Sequence, residues 1–161
     1  FLLWHNLIQN IDPIGELEHL RIINLSYNNI SDISALKNSA DLELLNLDYN
    51  GNISDLSAIS LLSKMESLSI SGSNINDLSP ISNLTNMDFL CFDGCNVEDI
   101  TPISGLTKLT YLDMRYNSIS DIAPLSEMHE LEFLYLAGNP ITDYSVLDLL
   151  HMSLESAMDE P

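Results

Sequence analysis

Residues 109–128 read LTYLDMRYNSISDIAPLSEM, and the same order of apolar and polar residues recurs along almost the whole chain of 161 residues. Asn117 lies near the middle of this stretch, with apolar residues at fixed offsets on both sides. Its position recurs at spacings of 22, 22, 23, 22, 22 and 22 residues, and we call these residues the ladder: Asn6, Asn28, Asn50, Ser73, Cys95, Asn117 and Asn139. A constant period of this length predicts a solenoid, in which each repeat forms one turn and buries its apolar residues against its neighbours.

The order of leucines around the ladder indicates the kind of solenoid. It follows L-x-x-L-x-L-x-x-N/C-x-L, the pattern of a leucine-rich repeat with one strand and one convex segment per turn. We therefore expect an α/β solenoid, a right-handed superhelix with a concave parallel β-sheet and short 3₁₀ or irregular convex segments. Phe1 and Leu3 already occupy inward strand positions, so we expect seven turns over residues 1–150, starting in mid-repeat. Residues 151–161 lack the pattern and are predicted to be a C-terminal cap remnant or a linker.

Several polar residues of the repeat have expected structural roles. Ladder side chains should satisfy backbone groups that the tight turn would leave unpaired in the interior. An aspartate recurs just after the ladder, where it can accept backbone N–H bonds and cap the convex segment. These aspartates are Asp32, Asp55, Asp77, Asp99, Asp121 and Asp143. Proline follows in several turns, for example Pro124, and favours a short 3₁₀ segment over a long helix.

The full block reads Leu-x-x-Leu-x-x-Leu-x-Leu-x-x-Asn-x-Ile-x-Asp-Ile-x-Pro-Leu and resembles the internalin type of bacterial repeat over roughly positions 1–150. This resemblance implies a recognition module of a larger bacterial surface or secreted protein, located outside the cell or on its surface. Eukaryotic phosphatase-regulator repeats share the period but usually lack the Asp-Ile-x-Pro block. They give the second reading, an intracellular scaffold in the cytoplasm.

Charge limits the classes of partner. The chain carries 24 acidic and five basic residues, for a net charge of -19. Such a surface repels phosphate backbones and anionic lipid headgroups, so we expect no nucleic-acid partner. A stretch of about 18 consecutive apolar residues is absent from the sequence, so we expect no direct membrane insertion. A protein partner should be neutral or basic.

The two cysteines, Cys91 and Cys95, are interpreted from their positions in the repeat. Cys95 belongs to the ladder and should point into the solenoid, whereas Cys91 takes an outward strand position and should be exposed. Diverging side chains argue against a disulfide, and two isolated thiols do not make a zinc site. An exposed free thiol fits a reducing or anaerobic setting better than an aerobic extracellular one.

Outward strand positions supply the candidate binding residues, because the concave face does the recognising in most proteins of this type. We predict that a partner contacts Phe89, Tyr111, Phe133, Tyr135, Arg115, Tyr116, Asp93, Asp113, Trp4, Tyr27 and Tyr49. Phe89, Tyr111 and Phe133 fall on successive turns and should form a contiguous aromatic strip. The strip is either a binding hot spot or a simple cover of the sheet, since outward strand positions favour aromatic residues.

No constellation in the sequence favours catalysis. Asp48, Asp93 and Asp113 lie on an open sheet without a pocket to shift a pKa, and the sequence has neither a Gly-rich phosphate loop nor a G-x-S-x-G motif. We expect no enzyme activity, no catalytic residue, no cofactor and no metal. The predicted function is therefore protein–protein recognition through the concave face. The alternatives are a structural spacer, the scaffold mentioned above, or a glycan-binding module that uses Trp4, Tyr27, Tyr49, Tyr111 and Tyr116.

Overall fold

A computed structural model describes residues 1–151 and contains one sheet of six parallel strands in sequence order. The strands are β1 (Ile22–Asn24), β2 (Leu44–Asn46), β3 (Ser67–Ser69), β4 (Phe89–Cys91), β5 (Tyr111–Asp113) and β6 (Phe133–Tyr135). Each residue pairs with the equivalent residue of the next turn, and a bridge between Leu2 and Asn24 adds a contact before β1. Among the described residues, no helix has the length and hydropathy to cross a bilayer.

The side opposite the sheet consists of short helices. The 3₁₀ helices are Asp12–Glu16, Ser34–Asn38, Ser57–Ile59, Ser79–Ile81, Thr101–Ile103 and Ala123–Leu125, and one α-helix, α1, spans Val146–Leu149. The repeated aspartates bind the start of the segment that follows them. For example, the Ser34 amide donates to Asp32 Oδ1 at 2.8 Å, and this bond holds the pKa of the Asp32 carboxyl below its ordinary value. The sheet and the short convex helices confirm the predicted fold class.

The core is a continuous column of apolar side chains between the sheet and the convex segments. Leu90, Leu112 and Phe92 are fully buried, and nearly every inward position of the middle turns is equally inaccessible. Burial of this kind depends on both neighbouring turns, because one turn cannot cover its own apolar residues. The first turn has a neighbour on one side only, so Phe1, which we predicted at an inward position, is 62% exposed.

Ladder side chains join consecutive turns through buried hydrogen bonds. Asn50 is completely buried, and its Nδ2 donates to the carbonyl oxygens of Leu25 and Leu47, each at 3.0 Å. Its Oδ1 accepts from the amide of Ile30 at 3.0 Å. At the fifth position the thiol of Cys95 replaces the amide, and its Sγ donates to the carbonyl oxygen of Ile70 at 3.3 Å. With a longer contact of 3.4 Å to the Asp48 carbonyl oxygen, the asparagine amide forms four bonds, whereas the thiol supplies one weak donor.

The predicted C-terminal cap remnant or linker, residues 151–161, lies outside the described residues from residue 152 onward. Within the described part, α1 ends at Leu149 and its residues Val146 and Leu147 are buried. This short helix follows the last ladder residue and packs its apolar side onto the core cluster.

Candidate binding site on the concave face

The three-residue strands place two columns of side chains on the concave face. The middle residue of each strand points into the core, so the first and third residues point outward. The strand register aligns these outward residues from turn to turn, pairing Phe89 with Tyr111 and Tyr111 with Phe133. A repeat with a constant period thus converts single outward residues into continuous rows across the sheet.

Four of the predicted residues form one aromatic group, which we call the aromatic strip: Phe89, Tyr111, Phe133 and Tyr135. The rings of Phe89 and Tyr111 stack with centroids 4.5 Å apart and planes 12° apart. Tyr111 also meets Phe133 at 6.0 Å and Tyr135 at 5.5 Å between centroids. Phe133 is 51% exposed, and the other three residues are half-buried. The strip is an ordered apolar surface that remains accessible to a partner.

Tyr111 is the centre of the strip and keeps its phenol neutral. Partial burial, with a smaller effect from the charge of Asp113, raises the pKa of Tyr111 to about 12. A neutral phenol can both donate and accept a hydrogen bond at physiological pH. The ring is therefore an amphipathic contact, apolar on its faces and polar at its tip.

Arg115 and Asp113 form an ion pair beside the strip. Arg115 Nε lies 2.9 Å from Asp113 Oδ1, and Arg115 Nη2 lies 2.7 Å from Asp113 Oδ2. The guanidinium carbon also lies 5.3 Å from the centre of the Tyr135 ring, within the range of a cation–π contact. Hydrogen bonding to Asp113 raises the pKa of Arg115 above its ordinary value.

The burial of Asp113 differs from the sequence-based expectation. We predicted an exposed carboxylate available to a partner, but Asp113 is only 2% exposed. The guanidinium of Arg115 covers the carboxylate and satisfies both of its oxygens. A partner could therefore contact only the exposed side of the Arg115 guanidinium. Asp113 lies beneath it and fixes its position.

A second aromatic group lies where the strands end, and we call it the aromatic rim: Trp4, His5, Tyr27 and Tyr49. Ring centroids are 6.1 Å apart from Trp4 to His5, 5.6 Å from His5 to Tyr27 and 4.5 Å from Tyr27 to Tyr49. Trp4, Tyr27 and Tyr49 are about half exposed. The predicted binding residues thus divide into two aromatic groups rather than one continuous patch.

The backbone at the strand end has an unusual conformation that the sequence analysis missed. Tyr49 and Tyr116 have φ angles of 54° and 53°, and Gly72 and Gly138 occupy the same position one turn later, also with positive φ. A Cβ atom at Gly72 would lie 2.8 Å from Cδ1 of Tyr49, and one at Gly138 would lie 2.5 Å from Cδ1 of Tyr116. Each tyrosine ring therefore lies over the backbone of the following turn, where only glycine fits. The recurrence of glycine at this position was the available signal.

The fourth turn, which carries β3, presents only small residues to the concave face, a row that was also missed. Ser69 and Ser71 are buried, and the carboxylate of Asp48 lies over them from the third turn. Asp48 Oδ1 accepts from Ser69 Oγ at 2.7 Å and from the Ser71 amide at 2.8 Å. The side chain of Asp93 lies on the other side of this row, half-buried, with its Oδ1 3.5 Å from the sulfur of Cys91.

The prediction that Cys91 is exposed was wrong. Its side chain does point to the concave face, but the residue is 9% exposed, and Cys95 is 6% exposed. Neighbouring turns cover the short Cys91 side chain, and its sulfur lies 3.1 Å from Ser71 Oγ. Burial, with smaller contributions from the nearby carboxylates, raises the pKa of Cys91 to about 12, and burial also raises the pKa of Cys95. Cys91 therefore gives no support for a reducing setting.

Both thiols should resist modification in the folded protein. We expect a water-soluble thiol reagent to label Cys91 and Cys95 far more slowly than an unfolded control, because the thiolate is the reactive species and both pKa values are raised. Mass spectrometry before and after unfolding in urea measures each site separately if the chain is cleaved before aspartate, since Asp93 lies between the two cysteines. Rapid native labelling of Cys91 with protection of Cys95 would restore the original expectation.

Three residues of this region offer ligand atoms within 4.8 Å of one another, namely Cys91, Asp93 and Asp113. Two of their features oppose metal binding. The thiol is protonated at physiological pH, whereas a metal binds the thiolate, and the carboxylate of Asp113 is already bound by Arg115. The three residues are better explained as part of a polar network in which side chains on the concave face hydrogen-bond to one another.

Family models for leucine-rich repeats match two parts of the chain. A model of two-copy leucine-rich repeats matches residues 85–127 and 107–149, and a single-repeat model matches residues 16–37. No curated protein matches the sequence.

Solved structures of bacterial proteins are similar to the chain over about nine tenths of its length. Internalin C2 of Listeria monocytogenes is 32% identical with a TM-score of 0.88, over 91% of this chain and 64% of that one. Internalin F of the same organism is 30% identical with a TM-score of 0.73, over 90% of this chain and 49% of that one. The functional domain of InlJ from Listeria monocytogenes, at 21% identity and a TM-score of 0.81 over 92% of this chain and 32% of that one, shares the fold. The chain thus spans less than two thirds of each of these structures.

Proposed function

Because the chain is a leucine-rich repeat protein of the internalin type, we propose that it is a non-enzymatic module that binds a protein partner through its concave face. Leucine-rich repeats of this family are typically interaction modules without catalytic activity. We infer further that the chain acts as part of a larger bacterial protein on the cell surface or in the medium. Its similarity to Listeria internalins supports this location.

The observation that carries the proposal is the aromatic strip. The ring of Tyr111 contacts the other three rings, so their conformations are restricted before any partner arrives, and less side-chain entropy is lost on binding. Large aromatic side chains also contribute most of the energy in many protein interfaces. A partner that covers Tyr111 and Phe133 would bury an apolar surface that water now contacts.

Charge supports a neutral or basic protein as the partner. The net charge is -19, and Arg115 is the basic residue that lies on the concave face, where Asp113 already binds it. Opposite charge on the partner would accelerate association at low ionic strength, and salt would slow it.

The geometry of the aromatic rim favours a protein partner over a glycan. Sugars stack on the open faces of aromatic rings, but one face of Tyr49 lies against Tyr27 and the other lies over Gly72. The rim therefore presents the edges and hydroxyl groups of these two tyrosines. Such groups suit hydrogen bonding at the margin of a protein interface.

Loss of the strip should abolish capture of the partner without affecting the fold. We expect Tyr111→Ala/Phe133→Ala to weaken binding by more than tenfold, since one interface anchor contributes about 1–3 kcal/mol. Immobilised wild-type and variant chains would be compared for the proteins that they capture from cell-surface extracts, followed by affinity measurement with each candidate. Thermal melting should stay nearly unchanged, because these side chains lie outside the core.

Leu61→Ala provides a matched control, since Leu61 is 87% exposed and lies away from the strands. It removes a comparable exposed apolar side chain and should leave binding intact. If the double variant binds as well as the wild type, the site lies elsewhere on the protein, and the proposal for the concave face fails.

A further inference from the structure

The first outward row of the concave face is interrupted at one position. The register places Leu44, Ser67 and Phe89 side by side, so a serine lies between two large apolar residues. Neighbouring strands are about 4.8 Å apart, which separates the backbones at Leu44 and Phe89 by about 10 Å. The short serine side chain leaves a gap one side chain wide, which we call the Ser67 slot.

Phe89 forms one wall of the Ser67 slot with the face of its ring. Its other face stacks on Tyr111, with planes 12° apart and centroids 4.5 Å apart. Because the two residues are paired on neighbouring strands and this distance matches the strand spacing, we infer that the stack runs from strand to strand. The free face is therefore directed towards Ser67. Leu44, which is half-buried, forms the opposite wall. The slot can hold a flat or extended group that continues the stack of rings.

Carboxylates lie beside the slot without a cationic partner. Asp48 accepts a hydrogen bond from Ser69, which is two residues from Ser67 on the same strand and thus about 7 Å away. In residues 1–151 the ion pairs join His19 and Lys64 to Asp41, Arg21 to Glu43, and Arg115 to Asp113. Neither Asp48 nor Asp93 belongs to one of these pairs. The carboxylate of Asp48 accepts hydrogen bonds from Asn46, Ser69 and Ser71, but these donors carry no charge. The slot therefore combines an aromatic face with a nearby negative charge that no cation of the described residues balances.

We propose that the Ser67 slot binds an arginine side chain of the protein partner. The guanidinium would stack on the free face of Phe89 and approach Asp48, while its methylene stem would pack against Leu44. Charge complementarity selects a cation, and the flat aromatic wall selects the planar guanidinium over an ammonium group. This inference rests on the proposed function, because it names the partner chemistry that the same face recognises.

The chain contains the same combination elsewhere, formed by its own residues. Arg115 binds the carboxylate of Asp113 through two nitrogens and lies over the ring of Tyr135 at 5.3 Å. In the Ser67 slot, Asp48 and Phe89 supply the carboxylate and the ring, and the arginine would come from outside. The internal example shows that this sheet surface accommodates a guanidinium at such a position.

Titration with a short peptide tests the slot without requiring the natural partner. The ¹⁵N-labelled chain would be titrated with acetyl-Gly-Arg-Gly-Arg-Gly-amide, and the amide shifts of Leu44, Ser67, Ser69 and Phe89 would be followed. We expect saturable shifts at these residues, weaker shifts with the lysine analogue and none with the glutamate analogue. Equal shifts from lysine would overturn the stacking role of Phe89, and shifts spread evenly over the acidic surface would overturn the slot.

Two variants and one control separate specific binding from general attraction. Ser67→Phe fills the slot and Asp48→Asn removes the charge while keeping a hydrogen-bonding side chain, so each should weaken peptide binding by at least about fivefold. Glu132→Gln removes an exposed carboxylate on another turn and should change binding by less than about twofold. Unchanged binding by both slot variants would refute the inference.

The two proposals can fail independently. Loss of partner binding in Tyr111→Ala/Phe133→Ala, together with a negative peptide titration, would support the concave face and remove the arginine slot. A positive titration with an unaffected double variant would support the slot and remove the aromatic strip as the main anchor.

Discussion

Replacing Leu112 by alanine is expected to lower the free energy of unfolding by about 2–5 kcal/mol. Leu112 is completely buried at the centre of β5, where the register pairs it with Leu90 and Leu134 on the two neighbouring turns. Removing its side chain loses apolar contacts and leaves a cavity that two turns must share. Urea denaturation followed by circular dichroism gives the difference directly.

The control for this substitution is again Leu61→Ala, which removes the same atoms from a residue that is 87% exposed. Exposed positions of this kind usually change stability by less than about 0.5 kcal/mol. A loss below about 1 kcal/mol in Leu112→Ala would show that the inward register is misassigned.

Replacing Arg115 by alanine is expected to cost about 3 kcal/mol of stability, an unusually large effect for a residue on a sheet face. The reason is the carboxylate of Asp113, which is 2% exposed and would lose the guanidinium that now binds both of its oxygens. A buried charge without a partner costs more than the ion pair itself contributes. Urea denaturation of the single variants and the double variant would measure this effect.

The double variant Asp113→Ala/Arg115→Ala should recover much of the lost stability, because it removes the buried charge together with its partner. A loss below about 1 kcal/mol in Arg115→Ala would indicate that water replaces the guanidinium easily. In that case Arg115 could leave its ion pair with Asp113 and bind a partner.

The fold could be predicted because every inward position is repeated along the chain. A single leucine at one position is weak information, but Leu90, Leu112 and Leu134 occupy the same offset from the ladder, and all three are buried. Parallel pairing and short convex helices then follow from a period of 22 residues. The regular repeat that stabilises the solenoid also makes its fold predictable from the sequence.

The concave face was less predictable, because the outward direction of a side chain does not determine its exposure. Cys91 and Asp113 both point outward, yet residues on neighbouring turns and Arg115 itself cover them. The burial of an outward residue depends on the side chains of the neighbouring turns, and the identity of these outward side chains differs from turn to turn. The contiguity of Phe89 and Tyr111 could be derived from the repeat alone, whereas the residues that a partner contacts stay a prediction.

Two ladder positions carry Ser73 and Cys95 instead of asparagine, so hydrogen bonding between turns is not uniform along the solenoid. Turns near both ends are tied to their neighbours by amides such as those of Asn28 and Asn117, each of which binds carbonyl groups of two turns. In the middle, Ser73 Oγ lies 3.4 Å from Cys95 Sγ, and that sulfur, a weak donor, lies 3.3 Å from the carbonyl oxygen of Ile70. Hydrogen bonding by ladder side chains between neighbouring turns is therefore weakest at the fourth turn, which carries Ser73. The Ser67 slot lies on the fourth turn, so a partner that contacts both Leu44 and Phe89 would bridge the turns on either side of this weaker junction.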